Sequence, residues 1–279
     1  MTRNTTLALV LGAAVLAVAG TGCEKLKARD HLNKGVASFK NARYQEAVDH
    51  FKEAVKLDPS FPTARLYLAT AYMNQYIPGA DSPENSQMAQ AAEDTFKQVL
   101  EQDPNNTLAL ASLASLKFSQ SQGITDQDAK FKKLDEAKEW NQKLVAVDPK
   151  NKEAAYSLGV IAWAKWYPAL MAARAKLGMK PEDPGPLKDK KVREELKEKY
   201  GPMIEDGIKS LQHALDIDKE YDDAMAYMNL LIREKADLAD NSEDYRKLVE
   251  TADDWVSKAL ETKKIKASRP ANAPAAGSK

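Results

Sequence analysis

Four variants of one phrase divide the chain: "VKLDPSF" from Val55, "LEQDPNN" from Leu100, "VAVDPKN" from Val145 and "LDIDKEY" from Leu215. Their aspartates, Asp58, Asp103, Asp148 and Asp218, stand 45, 45 and 70 residues apart. Each phrase closes a stretch with apolar and small residues at helical spacing, and in three of the four a proline follows the aspartate. Proline disfavours helical backbone in the residue before it, so the phrase ends a helix. Units that recur every few tens of residues bury their apolar faces by stacking on their neighbours. The spacing therefore predicts an all-α solenoid.

Set in register, the first unit reads "ARDHLNKGVASFKNARYQEAVDHFKEAVKLDP" from Ala28. It resembles the tetratricopeptide repeat, a pair of antiparallel helices in 34 residues, and the resemblance runs from Ala28 to about Lys264. It implies a right-handed superhelical solenoid of about five helix pairs over residues 28–264. Gly35 then sits where the two helices come too close for a side chain, Ala47 and Ala54 keep the second helix narrow, and Phe51 fills the gap. Ala69, Ala114 and Gly159 take the place of Gly35, and Ala92, Ala137 and Gly207 that of Ala47. The fifth unit has Asn229 at the small position and no aspartate-proline, as expected of a capping repeat.

The 45-residue period exceeds 34 by about three helical turns. Helix-start signals well upstream, "DSPEN" at Asp81, "TDQD" at Thr125 and "NSEDY" at Asn241, assign the surplus to longer second helices. The fourth unit holds a further insertion at about 165–202. There the first helix is expected to bend at Pro168 and stop near Gly178. A charged helix from Leu187 to Tyr200 should then meet a break at Gly201-Pro202. Residues 265–279, with proline, alanine and lysine and no period, read as a disordered tail.

Arg3, an apolar run from Leu7 to Ala19 and "GTGC" ending at Cys23 form an export signal. The run is shorter than the ~20 residues that span a bilayer as helix. "AGTGC" resembles the lipobox of bacterial lipoproteins, which implies a signal peptide over 1–22, diacylation of Cys23, a linker over 23–27 and an anchor in the outer membrane, facing the periplasm. The alternative is ordinary secretory cleavage after Ala17-Val18-Ala19, leaving the chain's sole cysteine as a free thiol.

With 41 basic and 41 acidic residues interspersed on helix faces, the charge pattern argues against a nucleic-acid binder. Catalysis finds little material, because His31, His50 and His213 are scattered over helices. His50 and His213 fall at positions expected to face outward. No zinc, phosphate-loop or nucleophile motif occurs, and no cofactor is implied.

The tetratricopeptide resemblance implies instead an inner groove lined by first-helix residues. Carried over by register, these are Phe39; Leu66, Tyr67, Thr70, Met73 and Asn74; Ser112, Ser115 and Phe118; Tyr156, Val160 and Trp163; and Tyr227, Leu230 and Arg233. Such a groove is apolar and aromatic and suits an extended segment or a partner helix. Leu32 and Val36 stand where chaperone-binding members carry lysine and asparagine to clamp a terminal carboxylate. For Trp163 the alternative is that "WYPALM" folds back and fills the groove. The function implied is a non-enzymatic scaffold or adaptor for envelope proteins, similar at fold level to the tetratricopeptide lipoproteins of outer-membrane protein insertion or of pilus and secretin assembly. The alternative is a pocket under the insertion for a small apolar or glycan ligand, with Trp163, Trp166 and Tyr167 as walls.

Overall fold

A computed structural model describes the backbone of residues 3–269 and the side chains of residues 22–269. The described residues form ten α-helices and one 3₁₀ turn, with no strand among them. The helices are α1 (Arg3–Lys40), α2 (Tyr44–Leu57), α3 (Pro62–Met73), α4 (Pro83–Gln102), α5 (Thr107–Gln122), α6 (Gln127–Val147), α7 (Lys152–Lys176), α8 (Lys190–Ile217), α9 (Asp222–Lys235) and α10 (Ser242–Ser268). The 3₁₀ turn, η1, spans Ala236–Leu238. The chain divides into two compact units, Met1–Thr125 and Asp126–Lys279. In the first, α1 packs on α2, α2 on α3, α3 on α4 and α4 on α5; in the second, α6 to α10 pack in the same sequential way, and α7 also lies against α9.

The recurring aspartates act as the spacing predicts. Asp58, Asp103, Asp148 and Asp218 are the residues at which α2, α4, α6 and α8 end. Each also accepts a hydrogen bond through its carboxylate from the backbone N–H two residues on, at 3.1, 3.3, 3.2 and 2.9 Å respectively. An aspartate that bonds its own backbone in this way holds a turn that alanine cannot hold. In two of the units an asparagine three residues later caps the next helix: Asn106 accepts from the Ala109 N–H and Asn151 from the Ala154 N–H.

Helix contacts rest on the small residues that the register picked out. A Cβ on Gly35 would stand 2.4 Å from the Phe51 ring, and one on Gly159 2.3 Å from Leu211 Cγ. Ala47, Ala54, Ala92 and Ala137 are fully buried. The surplus of the 45-residue period lies in the second helices: α4 has 20 residues and α6 has 21, against 14 in α2. Ser82, Asp126 and Asn241 cap α4, α6 and α10 through their side chains.

Helix α7 runs through Pro168 and ends at Lys176, followed by the positive φ of Gly178, which is where the insertion's first helix is expected to stop. The insertion departs from expectation in two ways. Leu187 is a fully buried loop residue, and α8 begins at Lys190 with Asp189 accepting from the Val192 N–H at 3.0 Å. No break occurs at Gly201-Pro202, since α8 continues through both residues to Ile217. Proline removes one helix hydrogen bond and crowds the preceding turn. Here the packing on both sides of it outweighs that cost: Tyr200 lies against Trp166 at 5.5 Å, and Ile204 is buried in the core. The inserted loop is held by Arg174, which pairs with Asp237 of η1 at 2.5 Å and donates to the carbonyls of Lys180 and Asp183. Leu187 N–H donates to the Asp237 carbonyl at 3.0 Å.

Residues 23–27 belong to α1 and are exposed, and 265–268 belong to α10. The rest of the expected tail, 270–279, and the side chains of the export signal up to residue 21 lie outside the described residues. Among the described residues, no helix is long and apolar enough to cross a membrane.

Candidate functional site

The second unit gathers five rings into one row. Helix α7 carries Tyr156, Trp163 and Tyr167, seven and then four residues apart and therefore on one face. Helix α9 contributes Tyr227, and the turn before it contributes Tyr221. Successive ring centroids are 5.1 Å apart from Tyr221 to Tyr156, 5.5 Å to Tyr227, 5.6 Å to Trp163 and 5.2 Å to Tyr167. Two of the contacts are edge-to-face and one is stacked, which are arrangements that the ring quadrupole favours. Lys152 stands 5.2 Å over the Tyr221 ring and closes that end of the row. Tyr156, Trp163, Tyr221 and Tyr227 are half-buried against the core, whereas Tyr167 is 37% exposed. The row is thus both the edge of the core and a surface.

Its charged companion is Glu234, one α9 face along from Tyr227. Trp163 Nε1–H donates to Glu234 Oε1 at 3.0 Å, while Oε2 is enclosed and lacks a hydrogen-bond partner. Burial pushes the Glu234 carboxyl up to about 7, against the opposing effect of the tryptophan bond; the nearby Asp237 charge adds to the rise. Burial likewise raises Tyr221, to about 12, as well as Tyr156 and Tyr227, with the Asp223 charge contributing to all three. The phenols therefore stay neutral and offer O–H groups along the row.

The other residues expected on this face go elsewhere. Val160 is buried, and Arg233 turns towards Asn229 at 3.2 Å and Asp253 at 2.5 Å, on the α10 side. The segment "WYPALM" is split: Trp166 and Leu170 are sealed in the core, and Tyr167 joins the row. Trp163, Trp166 and Tyr167 consequently do not wall one pocket. The hollow beneath the inserted part of α8, about 200 Å³, is lined by Lys197, Ile204, Glu205, Leu238 and Leu248 among others and by no aromatic side chain. Sequence reasoning missed Tyr221 and Glu234. Tyr221 sits in a turn, outside any helical register, and Glu234 shares with Tyr227 a seven-residue spacing that could have placed it.

In the first unit the rings face their own helix partners. Phe39 meets Tyr44 edge-on at 5.3 Å, and Tyr67, 36% exposed, stacks on Phe51 at 5.5 Å. Thr70 Oγ1–H donates to the Leu66 carbonyl and Asn74 Nδ2–H to the Thr70 carbonyl, so both polar groups serve α3 itself. Leu66, Met73, Ser112 and Phe118 are half-buried. His50 is half-buried and partnered, its Nδ1 lying 3.3 Å from Nδ1 of His31, and His213 Nε2 lies 2.8 Å from the Pro149 carbonyl. Among the described residues, no three His, Cys, Asp or Glu side chains converge as metal ligands. Cys23 is exposed and free.

Residues 35–75 match the family model described as TPR repeat. No curated protein matches the chain. Among solved structures, a crystal structure of MamA protein is similar over 89% of this chain and 98% of its own, at 16% identity and a TM-score of 0.56. The structure titled "MamA 41-end from Desulfovibrio magneticus RS-1" covers 87% and 98% at 18% identity, with a TM-score of 0.53. The all-α fold of adjacent antiparallel helix pairs is thus that of tetratricopeptide proteins.

Proposed function

We propose that this tetratricopeptide chain is a non-enzymatic interaction scaffold that captures a protein segment, extended or helical, on the aromatic row of its second unit. The observation that carries the reading is the row itself: five rings in contact, each with part of its surface open, on the faces of α7 and α9. Large rings with polar tips bury much area at little entropic cost when a partner docks. The exposed carboxylates Glu153 and Asp223 near Tyr221 favour a segment with a basic residue at that end.

The setting we propose is the cell envelope, with the chain anchored through a lipid on Cys23 and facing the periplasm. Its partners there are envelope proteins, in outer-membrane, secretion or pilus assembly. Support comes from the lipobox-like "AGTGC" and from the exposure of Cys23. The test is in-cell photo-crosslinking from a reactive residue placed at Tyr167, followed by mass spectrometry of the captured protein. One or two envelope proteins should be recovered, and Trp163→Ala or Tyr227→Ala should lose them. Equal capture by these variants would overturn the assignment of the row.

A further inference from the structure

Helix α7 has a second open face. At about 100° per residue, Leu158, Ile161, Ala162 and Lys165 point roughly half a turn away from Tyr156, Trp163 and Tyr167. They line the floor of a hollow of about 430 Å³ whose walls are α6 and α8, both packed on α7. Two contacts set the levels along it. Lys165 pairs with Asp135 of α6 at 2.5 Å, and a Cβ on Gly207 of α8 would stand 2.6 Å from Ala162 Cβ. Successive helices run antiparallel, so Lys138, one turn on from Asp135, and Asp206, beside Gly207, line opposite walls near the level of Ala162. Lys209 stands one turn beyond Asp206, towards Leu158.

The charges of this hollow are uncommitted. Among the described residues, Lys138, Asp206 and Lys209 take part in no ion pair. Its Lys165 end, by contrast, is closed by the pair with Asp135, and the same ammonium lies 5.4 Å over the Phe131 ring. Between the charges the floor is hydrocarbon: Ile161 and Ala162 are buried, and Leu158 and Met203 are half-buried. Two cations thus flank the Leu158 half, and a carboxylate lies nearer Met203. The complement is a molecule with an anionic end, a cationic end and apolar groups between them, which describes a short peptide with free termini. A volume of about 430 Å³ lies near the lower end of the roughly 300–1,000 Å³ of small-ligand sites, and the closed end leaves no path for a long segment to run through.

We infer that the hollow between α6 and α8 binds a short peptide of dipeptide size with free termini and apolar side chains. Its carboxylate lies between Lys138 and Lys209, its ammonium meets Asp206, and its side chains rest on Leu158, Ile161 and Met203. The site is independent of the aromatic row, which occupies the opposite face of α7, so the two surfaces can fail or stand separately.

The experiment uses the full chain with carbon-13 at its methionine methyls. The dipeptide Leu-Leu is titrated in while the Met203 methyl resonance, identified by its loss in Met203→Leu, is followed. A saturable shift is expected. Acetyl-Leu-Leu and Leu-Leu amide, each lacking one terminal charge, should bind about fivefold more weakly. Lys138→Ala should weaken Leu-Leu by a similar factor and leave the amide unchanged, whereas Asp206→Asn should weaken Leu-Leu and leave the acetylated form unchanged. Because neither side chain is paired, both variants should fold, and loss of discrimination between free and capped peptides is not an effect that misfolding produces. Absence of a saturable Met203 shift at millimolar peptide overturns the inference. So does equal binding of the free and capped forms, and so does tighter binding by a longer peptide capped at both ends, which would make the hollow a seat for a partner's chain.

Discussion

Glu234→Gln should stabilise the protein by about 3 kcal/mol above neutral pH and by no more than about 1 kcal/mol at pH 5. In the folded chain burial lifts the Glu234 carboxyl from 4.5 to about 7, the Trp163 N–H bond opposing and the Asp237 charge reinforcing the rise. The sign follows from proton counting. Below pH 4.5 the folded and unfolded chains both hold the proton and the group contributes nothing. Between pH 4.5 and 7 the unfolded chain gives it up while the folded chain keeps it, so stability falls as pH rises, levelling off above about 7. Over that interval the loss is on the order of 3 kcal/mol, at about 1.4 kcal/mol per pH unit. Glutamine keeps an oxygen to accept the Trp163 N–H and resembles the protonated acid in leaving one enclosed polar group unpaired. Urea unfolding followed by tryptophan fluorescence at pH 5, 6, 7 and 8 measures the difference between the two proteins. It should grow from about 1 kcal/mol to about 3 kcal/mol across the series. A difference that stays flat from pH 5 to 8 would refute the claim that the carboxyl is enclosed and ionises at a cost.

Four further outcomes follow from the packing and the sequence. Gly159→Ala should cost about 1–2 kcal/mol in urea unfolding, because its Cβ would meet Leu211 at 2.3 Å. Gly201→Ala should instead gain about 0.5–1 kcal/mol, since its nearest neighbour is Lys197 Cγ at 3.9 Å and alanine favours helix. Arg174→Ala should cost about 3–5 kcal/mol by leaving Asp237 buried without its partner, and adding Asp237→Ala should return part of that, as read from the same unfolding curves. Cys23→Ser should abolish incorporation of labelled palmitate in growing cells and shift the protein from the membrane to the soluble fraction; labelling that persists would refute lipidation at this residue.

The repeat phrase made the helix ends legible because its function is local. An aspartate that folds back on its own turn behaves alike wherever it occurs, and Asp58, Asp103, Asp148 and Asp218 all do so. The small positions were legible for a similar reason, since Gly35 and Gly159 leave no room for a side chain where the first helix of their unit meets the second. Gly201-Pro202 was misread because a local breaker signal was weighed without the Trp166–Tyr200 contact that holds α8 across it. Register located Tyr156, Trp163 and Tyr227 but also named Val160 and Arg233. Whether a position on a helix faces solvent, core or the next helix depends on what packs there, and spacing along one helix does not carry that information.

The insertion and the row are physically linked. A first helix as long as α9, 14 residues, would end near Lys165 if it began where α7 begins, and Tyr167 would have no helix to stand on. By running to Lys176, α7 supplies the last ring and brings Arg174 to Asp237 of η1. That ion pair lies three residues beyond Glu234, whose carboxyl fixes Trp163 from the α9 side. The same inserted residues that depart from the repeat thus lengthen the row and hold the element next to the enclosed Glu234 carboxyl. Deleting them would leave the helix pairs able to stack but would shorten the surface by its most exposed ring.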